Sequence, residues 1–414
     1  MSGLLLPLVA SLAVVAAPPG PRAPHRERFP GGPELVVAPS PGARIASLRI
    51  VLRAGSAQDP FAKAGLAHLL EHLLVRDPGQ PPGLLLGDVR AAGATVNAYT
   101  SRSATWFTLD APAEEFHPLA ARLLRGVTNP RFDAQAVLRE REIVQREQGE
   151  TGDGSSLLDS ALFPVGPPET TILGDGSSRG EIQREDLLAY FRRNYVASAM
   201  TIIVTGAVSV DQALALVDEA FLLPPALPGE EPEPTDAVPS LPADLKLRAP
   251  FIAAVYGYRL DAEDRAACEA LAGLLEVRLL ETLTLVQPVL RSVDAGCYGV
   301  RGSEFVLAFA YAPSLDASNL SNNIEWVFRS IRREPPSASE RRGVEKRLER
   351  LAVARDADPA ALADTMVGEA IRGRNAMPLP PAPARVDGAA LDSVARRSFT
   401  PDRRVQLLLS PFEG

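Results

Sequence analysis

The chain has 414 residues, 46% hydrophobic and 23% charged, enough for two or more domains with full cores. Its net charge of −8 argues against a nucleic-acid-binding surface, and no basic run or base-stacking motif contradicts that. No apolar tract is long enough to span a bilayer.

Leu4 to Ala17 (LLLPLVASLAVVAA) is an apolar run of signal-peptide length, closed by small residues and then by Pro18-Pro19-Gly20-Pro21. Residues 1–17 are therefore expected to be a cleaved signal peptide, although the first residues lack Lys or Arg and a proline follows Ala17. Export is the expected address. Cys268 and Cys297 are the only cysteines. They could pair in an oxidising compartment, but two buried free thiols is the simpler expectation.

Past a Pro/Gly/Arg-rich stretch, Glu34–Ala38 and Ile45–Ala54 read as strands, the second with alternating apolar residues. The next segment, Ala64 to Val75, is apolar almost all round and predicts a buried helix. It carries His68-Leu69-Leu70-Glu71-His72, two of the four histidines of the chain. Residues four apart share one helix face, so both imidazoles can close on one zinc ion. Glu71 is placed to take a proton from water in the open position of that metal. The order H-x-x-E-H is that of the inverzincins. A polar patch on an ordinary helix is the competing reading, but ionisable groups on a buried helix need a partner.

Ala94–Thr100 and Ala104–Asp110 read as strands, and Phe116–Val127 as a helix ending at Asn129-Pro130. On the following helix, Val137, Glu140, Val144 and Glu147 recur at spacings of three and four and form one stripe. Carboxylates on such a stripe point inward, which favours Glu140 and Glu147 over Glu142 and Glu150 as partners of a metal site. Thr201–Thr205 is a short buried strand, and Val210–Phe221 a helix. Residues 222–242 (LLPPALPGEEPEPTDAVPSLP) read as an extended acidic linker. Strand Ala249–Tyr258 and a helix from Ala262 to Thr284 open the second half. Its GLLEVRLLETL occupies the position of GLAHLLEHLL but has no histidine, which suggests an internal repeat without a second metal site.

These residues resemble the pitrilysin/insulinase-type zinc metallopeptidases, most nearly the branch of mitochondrial processing peptidase and its bacterial relatives. The likeness is carried by GLAHLLEHLL, NAYTSR (Asn97–Arg102), NPRFD (Asn129–Asp133), EREIVQRE (Glu140–Glu147) and RRNYVASAMTIIVTG (Arg192–Gly206). It implies that His68, His72 and Glu147 bind one zinc per chain, that Glu71 is the general base, and that Glu140 orients a ligand histidine. It implies an α+β fold of two similar halves, each an antiparallel sheet with helices on one face, enclosing a substrate chamber. Asn97 and Ala98 would lie on the edge strand to which a peptide adds. Arg291 and Tyr298, seven apart, resemble the family pair that contacts substrate from the opposite half. Leu275–Leu280 stands where the family commonly has a glycine-rich segment.

The expected division is a zinc-binding domain at 30–221, a linker at 222–244 and a peptidase-like domain without zinc at 245–414. The expected function is a zinc endopeptidase acting on peptides or unfolded polypeptide, exported to a bacterial periplasm, as a homodimer or paired with a related subunit. The alternative is a non-catalytic scaffold or partner subunit of a peptidase-like heterodimer.

Overall fold

The computed structural model describes residues 24–60, 62–76, 86–150, 182–226, 241–248, 251–286, 292–300, 303–311, 317–372 and 385–411. The segment 1–17, Arg291 and most of the proline-rich stretch lie outside them.

Two sheets organise the chain. The first runs in the order β1 (His25–Arg28), β2 (Glu34–Pro39), β6 (Met200–Gly206), β3 (Ile45–Leu52), β5 (Thr105–Pro112) and β4 (Thr95–Thr100). The second runs β7 (Ala243–Arg248), β11 (Arg404–Ser410), β8 (Ala253–Leu260), β10 (Ser303–Tyr311) and β9 (Ser292–Val300). β2 is parallel to β6, and β7 to β11; the other pairs are antiparallel. Without β1 the two orders correspond strand for strand. The repeat suggested by the two apolar helices is thus a repeat of topology.

Helices α1 (Leu66–Arg76), α2 (Leu86–Ala91), α3 (Ala113–Thr128), α4 (Ala134–Glu150), α5 (Arg184–Asn194) and α6 (Val210–Ala220) belong to the first half. The second half has α7 (Arg265–Val286), α8 (Ala317–Arg333), α9 (Ala338–Ala357), α10 (Pro359–Ile371) and α11 (Gly388–Ser398). The strand before α7 starts at Ala253, four residues later than its composition suggests. Leu48, Ile50 and Phe107 of the first sheet pack against Leu66, Leu69, Leu70, Leu123 and Leu124 in one core.

The other face of that sheet is also covered. α10, from the second half, lays Leu362, Ala363, Met366 and Val367 on Val36, Val51 and Ile203. Each large apolar side chain so buried contributes about 1.5–3 kcal/mol. β3 is consequently buried on both faces from Ala46 to Leu52, not on alternate residues. At its centre Arg49 has a 2% exposed side chain and binds Asp110 of β5 at 2.8 Å and Asp364 of α10 at 2.6 Å. The Thr205 hydroxyl donates to the Pro359 carbonyl at 2.7 Å. The halves are thereby tied through one helix.

Cys268 and Cys297 form a disulfide that joins α7 to β9, in place of the two free thiols that were the simpler expectation. No described helix is long and apolar enough to cross a membrane.

Candidate metal and catalytic centre

The helix that carries the two histidines is fixed from its N-terminal end. After β3 the chain folds against the loop following β4: the Ser56 and Ala57 N–H groups donate to the Ser101 and Arg102 carbonyls at 3.0 and 2.9 Å. A Cβ at Gly55 would lie 2.1 Å from the Ser101 oxygen, so only glycine permits this approach. Gly65 then turns into α1 at φ +90°, in the left-handed region. No Ser, Thr, Asp or Asn directly precedes the helix. Asp59 does that work from a distance, accepting the Gly65 N–H at 2.9 Å and the Ala67 N–H at 3.0 Å. A carboxylate there satisfies orphan donors and matches the positive end of the helix dipole. The sequence reading missed Asp59, although Asp59-Pro60 ahead of an uncapped apolar helix was a usable signal.

α1 is as buried as its composition predicts, with Leu66, Leu69 and Leu70 fully covered. His68 and His72 point the same way, their ring centroids 4.7 Å apart. Glu147 of α4 meets both: its Oε2 is 3.5 Å from His68 Nε2 and 3.3 Å from His72 Nε2. In a tetrahedral zinc site with bonds of about 2.0–2.1 Å, neighbouring ligand atoms stand about 3.3–3.4 Å apart. Those two separations are close to edges of such a tetrahedron. His72 Nδ1 is 3.2 Å from Glu140 Oε2, which turns His72 Nε2 toward Glu147. His68 Nε2 is buried and lacks a hydrogen-bond partner of proper geometry among the described residues. An orphaned ring nitrogen facing a carboxylate and a second imidazole fits a cation. The stripe Val137, Glu140 and Val144 is buried as its periodicity implies, and Glu147, at the exposed end, keeps 37% of its side chain open.

Glu71 lies beside this cluster, with His68 Nδ1 3.3 Å from its Oε2. The Thr100 hydroxyl, at the end of β4, donates to the same oxygen at 2.7 Å. Burial works against ionisation of Glu71, but His68, His72 and Thr100 outweigh it and hold the carboxyl below its ordinary range. Burial likewise opposes protonation of His68, yet Glu147 and Glu71 push it up to about 9. His72 is raised against burial by Glu140 and Glu147, and Glu147 is lowered by its contacts with His68 and His72. The pocket is built to hold positive charge. Thr100 was not singled out by the sequence, although its position two residues after Ala98 puts both on one strand face.

β4 is the edge of its sheet. The Ala98 N–H is met by the carboxamide oxygen of Asn97 at 2.9 Å, and the Asn97 Nδ2 donates to the Tyr99 hydroxyl at 2.9 Å. Both residues are thus on the edge strand next to Thr100 and Glu71. Tyr298 lies in β9, half-buried, with its ring 6.3 Å from Phe305; it is not part of the His68–Glu147 cluster. Arg291 lies outside the described residues.

Residues 35–162 match the family model for insulinase, peptidase family M16, and residues 181–344 that for the inactive domain of M16 peptidases. The beta subunit of mitochondrial-processing peptidase from Lentinula edodes is 30% identical over 188 residues, 44% of this chain and 40% of that protein. An uncharacterized zinc protease of Mycobacterium tuberculosis is 32% identical over 216 residues, 50% of this chain and 48% of that protein. The chain therefore spans less than half the length of these curated relatives. In fold it resembles a protease from Helicobacter pylori, with a TM-score of 0.79 at 16% identity over 94% of this chain and 100% of that one. Both halves match, in chain order, the two parts of one family, and the chain belongs to the insulinase/pitrilysin-type peptidases, family M16.

Proposed function

We propose that the chain is a zinc-dependent endopeptidase for extended peptides or unfolded polypeptide, with one zinc held by His68, His72 and Glu147. The observation that carries this is the convergence of His68 Nε2, His72 Nε2 and Glu147 Oε2 at separations of 3.3 and 3.5 Å, beside an ionised Glu71. When bound, zinc would polarise the scissile carbonyl and make water acidic at its open position. Glu71 takes the proton of the attacking water and passes it to the leaving nitrogen. Thr100 fixes one oxygen of Glu71, so the other serves the proton transfer. Glu140 keeps His72 in the tautomer whose Nε2 faces Glu147.

Substrate adds as a strand along β4, displacing the Asn97 carboxamide from the Ala98 N–H. Arg291 and Tyr298 would steady the substrate carbonyl from the second half. That half contains no histidine, and it coincides with most of the inactive-domain match, so the first half carries the chemistry. Residues 1–17 direct export, and a disulfide between Cys268 and Cys297 suits an oxidising periplasm. A second copy or a related subunit completes the working enzyme if the chain alone is silent.

Zinc content and hydrolysis of an unstructured peptide test the reading together. Stoichiometric zinc, with cleavage abolished by a chelator and restored by zinc, supports it; a metal-free chain, or chelator-insensitive cleavage, overturns it. Glu71→Gln should keep its zinc and slow hydrolysis by about 10²–10⁴-fold.

A further inference from the structure

Behind the edge strand, on the side of the sheet away from the histidines, a groove of about 530 Å³ lies between β4, β5 and α10. Strand alternation puts Ala98 and Thr100 on the side of Glu71, and Thr95, Asn97 and Tyr99 on the side of the groove. The register sets the cross-strand rows: Tyr99 beside Trp106, Asn97 beside Thr108, and Thr95 beside Asp110. The row nearest the candidate catalytic centre is therefore aromatic, since Tyr99 directly precedes the threonine that holds Glu71. Tyr99 stacks on Trp106 with centroids 5.2 Å apart and stays 44% exposed.

The far rows are acidic in sum. Arg49 is the one cation among the described residues lining the groove, and it is buried against Asp110 and Asp364. Two carboxylates against one guanidinium leave a single net negative charge. The Asp364 side chain is 60% exposed, so that charge faces the groove.

We propose that this groove is a recognition pocket for an arginine or lysine side chain of a peptide docked along β4, an inference that rests on the peptidase reading above. A strand added to β4 sends every second side chain to this face, about 7 Å apart. The aliphatic stem of a basic side chain lies along Tyr99, whose ring attracts the cation, and the head group reaches Asp364. An acidic side chain meets repulsion there, and a purely apolar one leaves the carboxylate unmatched.

The test uses a neutral, unstructured peptide in which one arginine is walked along the sequence, each paired with its citrulline counterpart. Citrulline keeps the shape and removes the charge. With the zinc-loaded chain, kcat/KM should favour arginine over citrulline about tenfold at alternate positions near the cleaved bond. Asp364→Asn should reduce that ratio to about two. Because Asp364 also binds Arg49, Tyr99→Leu serves as a second variant that disturbs no ion pair, and it should lower the ratio as well. An arginine-to-citrulline ratio near one at every position, or one unchanged in both variants, overturns the proposal. Anisotropy of the same labelled peptides on zinc-loaded Glu71→Gln protein separates the two ideas. Preferential arginine binding without cleavage by the wild type keeps the pocket and removes the peptidase; cleavage without arginine preference does the reverse.

Discussion

The helix pair α1–α4 of the first half and the pair α7–α9 of the second occupy the same place in the repeat, yet they are closed by different chemistry. In the first, His68 and His72 face Glu147 and Glu140, an arrangement that lacks a cation of its own unless the imidazoles are protonated. In the second, Arg278 binds Glu340 at 2.7 Å and Arg347 pairs with Glu276, so permanent cations already sit opposite the carboxylates. The contact of the leading helix with the edge strand differs in the same sense. Thr100 reaches Glu71 through a hydrogen bond, whereas Cys268 is covalently bound to Cys297. One half sets its carboxylates against imidazoles, and the other sets them against permanent cations. A repeat can preserve a fold while only one copy retains chemistry.

The sharpest way to break this contrast is to remove a proposed ligand. His72→Ala should lose stoichiometric zinc and all chelator-sensitive hydrolysis, while Arg278→Met should leave zinc content unchanged; metal analysis of both variants decides it. Next in size is the covalent closure. Replacing both Cys268 and Cys297 by Ala should lower unfolding free energy by about 3 kcal/mol, read by denaturant titration, without altering zinc content. Glu140→Gln should weaken zinc binding about 10–100-fold, measured by competition with a chelating dye, because the orientation of His72 is loosened.

The smallest effect concerns pH. Burial opposes ionisation of Glu340, but Arg278 and the Ser337 cap hold it down to about 2. A depressed carboxyl stabilises the fold above its unfolded value and loses that contribution as pH falls through the folded one. Glu340→Gln should therefore cost about 0.5–1 kcal/mol at pH 6, and the difference from wild type should shrink between pH 4.5 and 2.

Local periodicity made much of the site legible. His68, Glu71 and His72 lie within a single turn and a half of helix, and Glu140 and Glu147 share one face of another, so 3.6-residue spacing was enough to place them. Asp59, Thr100 and the outward rows of β4 were not legible in that way. Asp59 acts through the turn of the loop into α1, capping donors six and eight residues on, and Thr100 through the docking of that helix against an edge strand, neither of which a helical period encodes. The disulfide depended on the position of β9 beside α7, which the spacing of the two cysteines does not reveal. The alternation read into β3 failed because α10, more than three hundred residues away, buries its second face.

That placement of α10 separates two properties that are easily confused, continuity of the backbone and cohesion of the particle. The helix follows the proline-rich stretch in sequence but completes a layer of the sheet that precedes it. Severing the backbone within residues 222–242 would leave two fragments clasped by Arg49, Asp364 and the apolar side chains of α10. Either fragment made alone would lack a surface that the other supplies. The helix, although it belongs to the second half, is thus a fastening between the two.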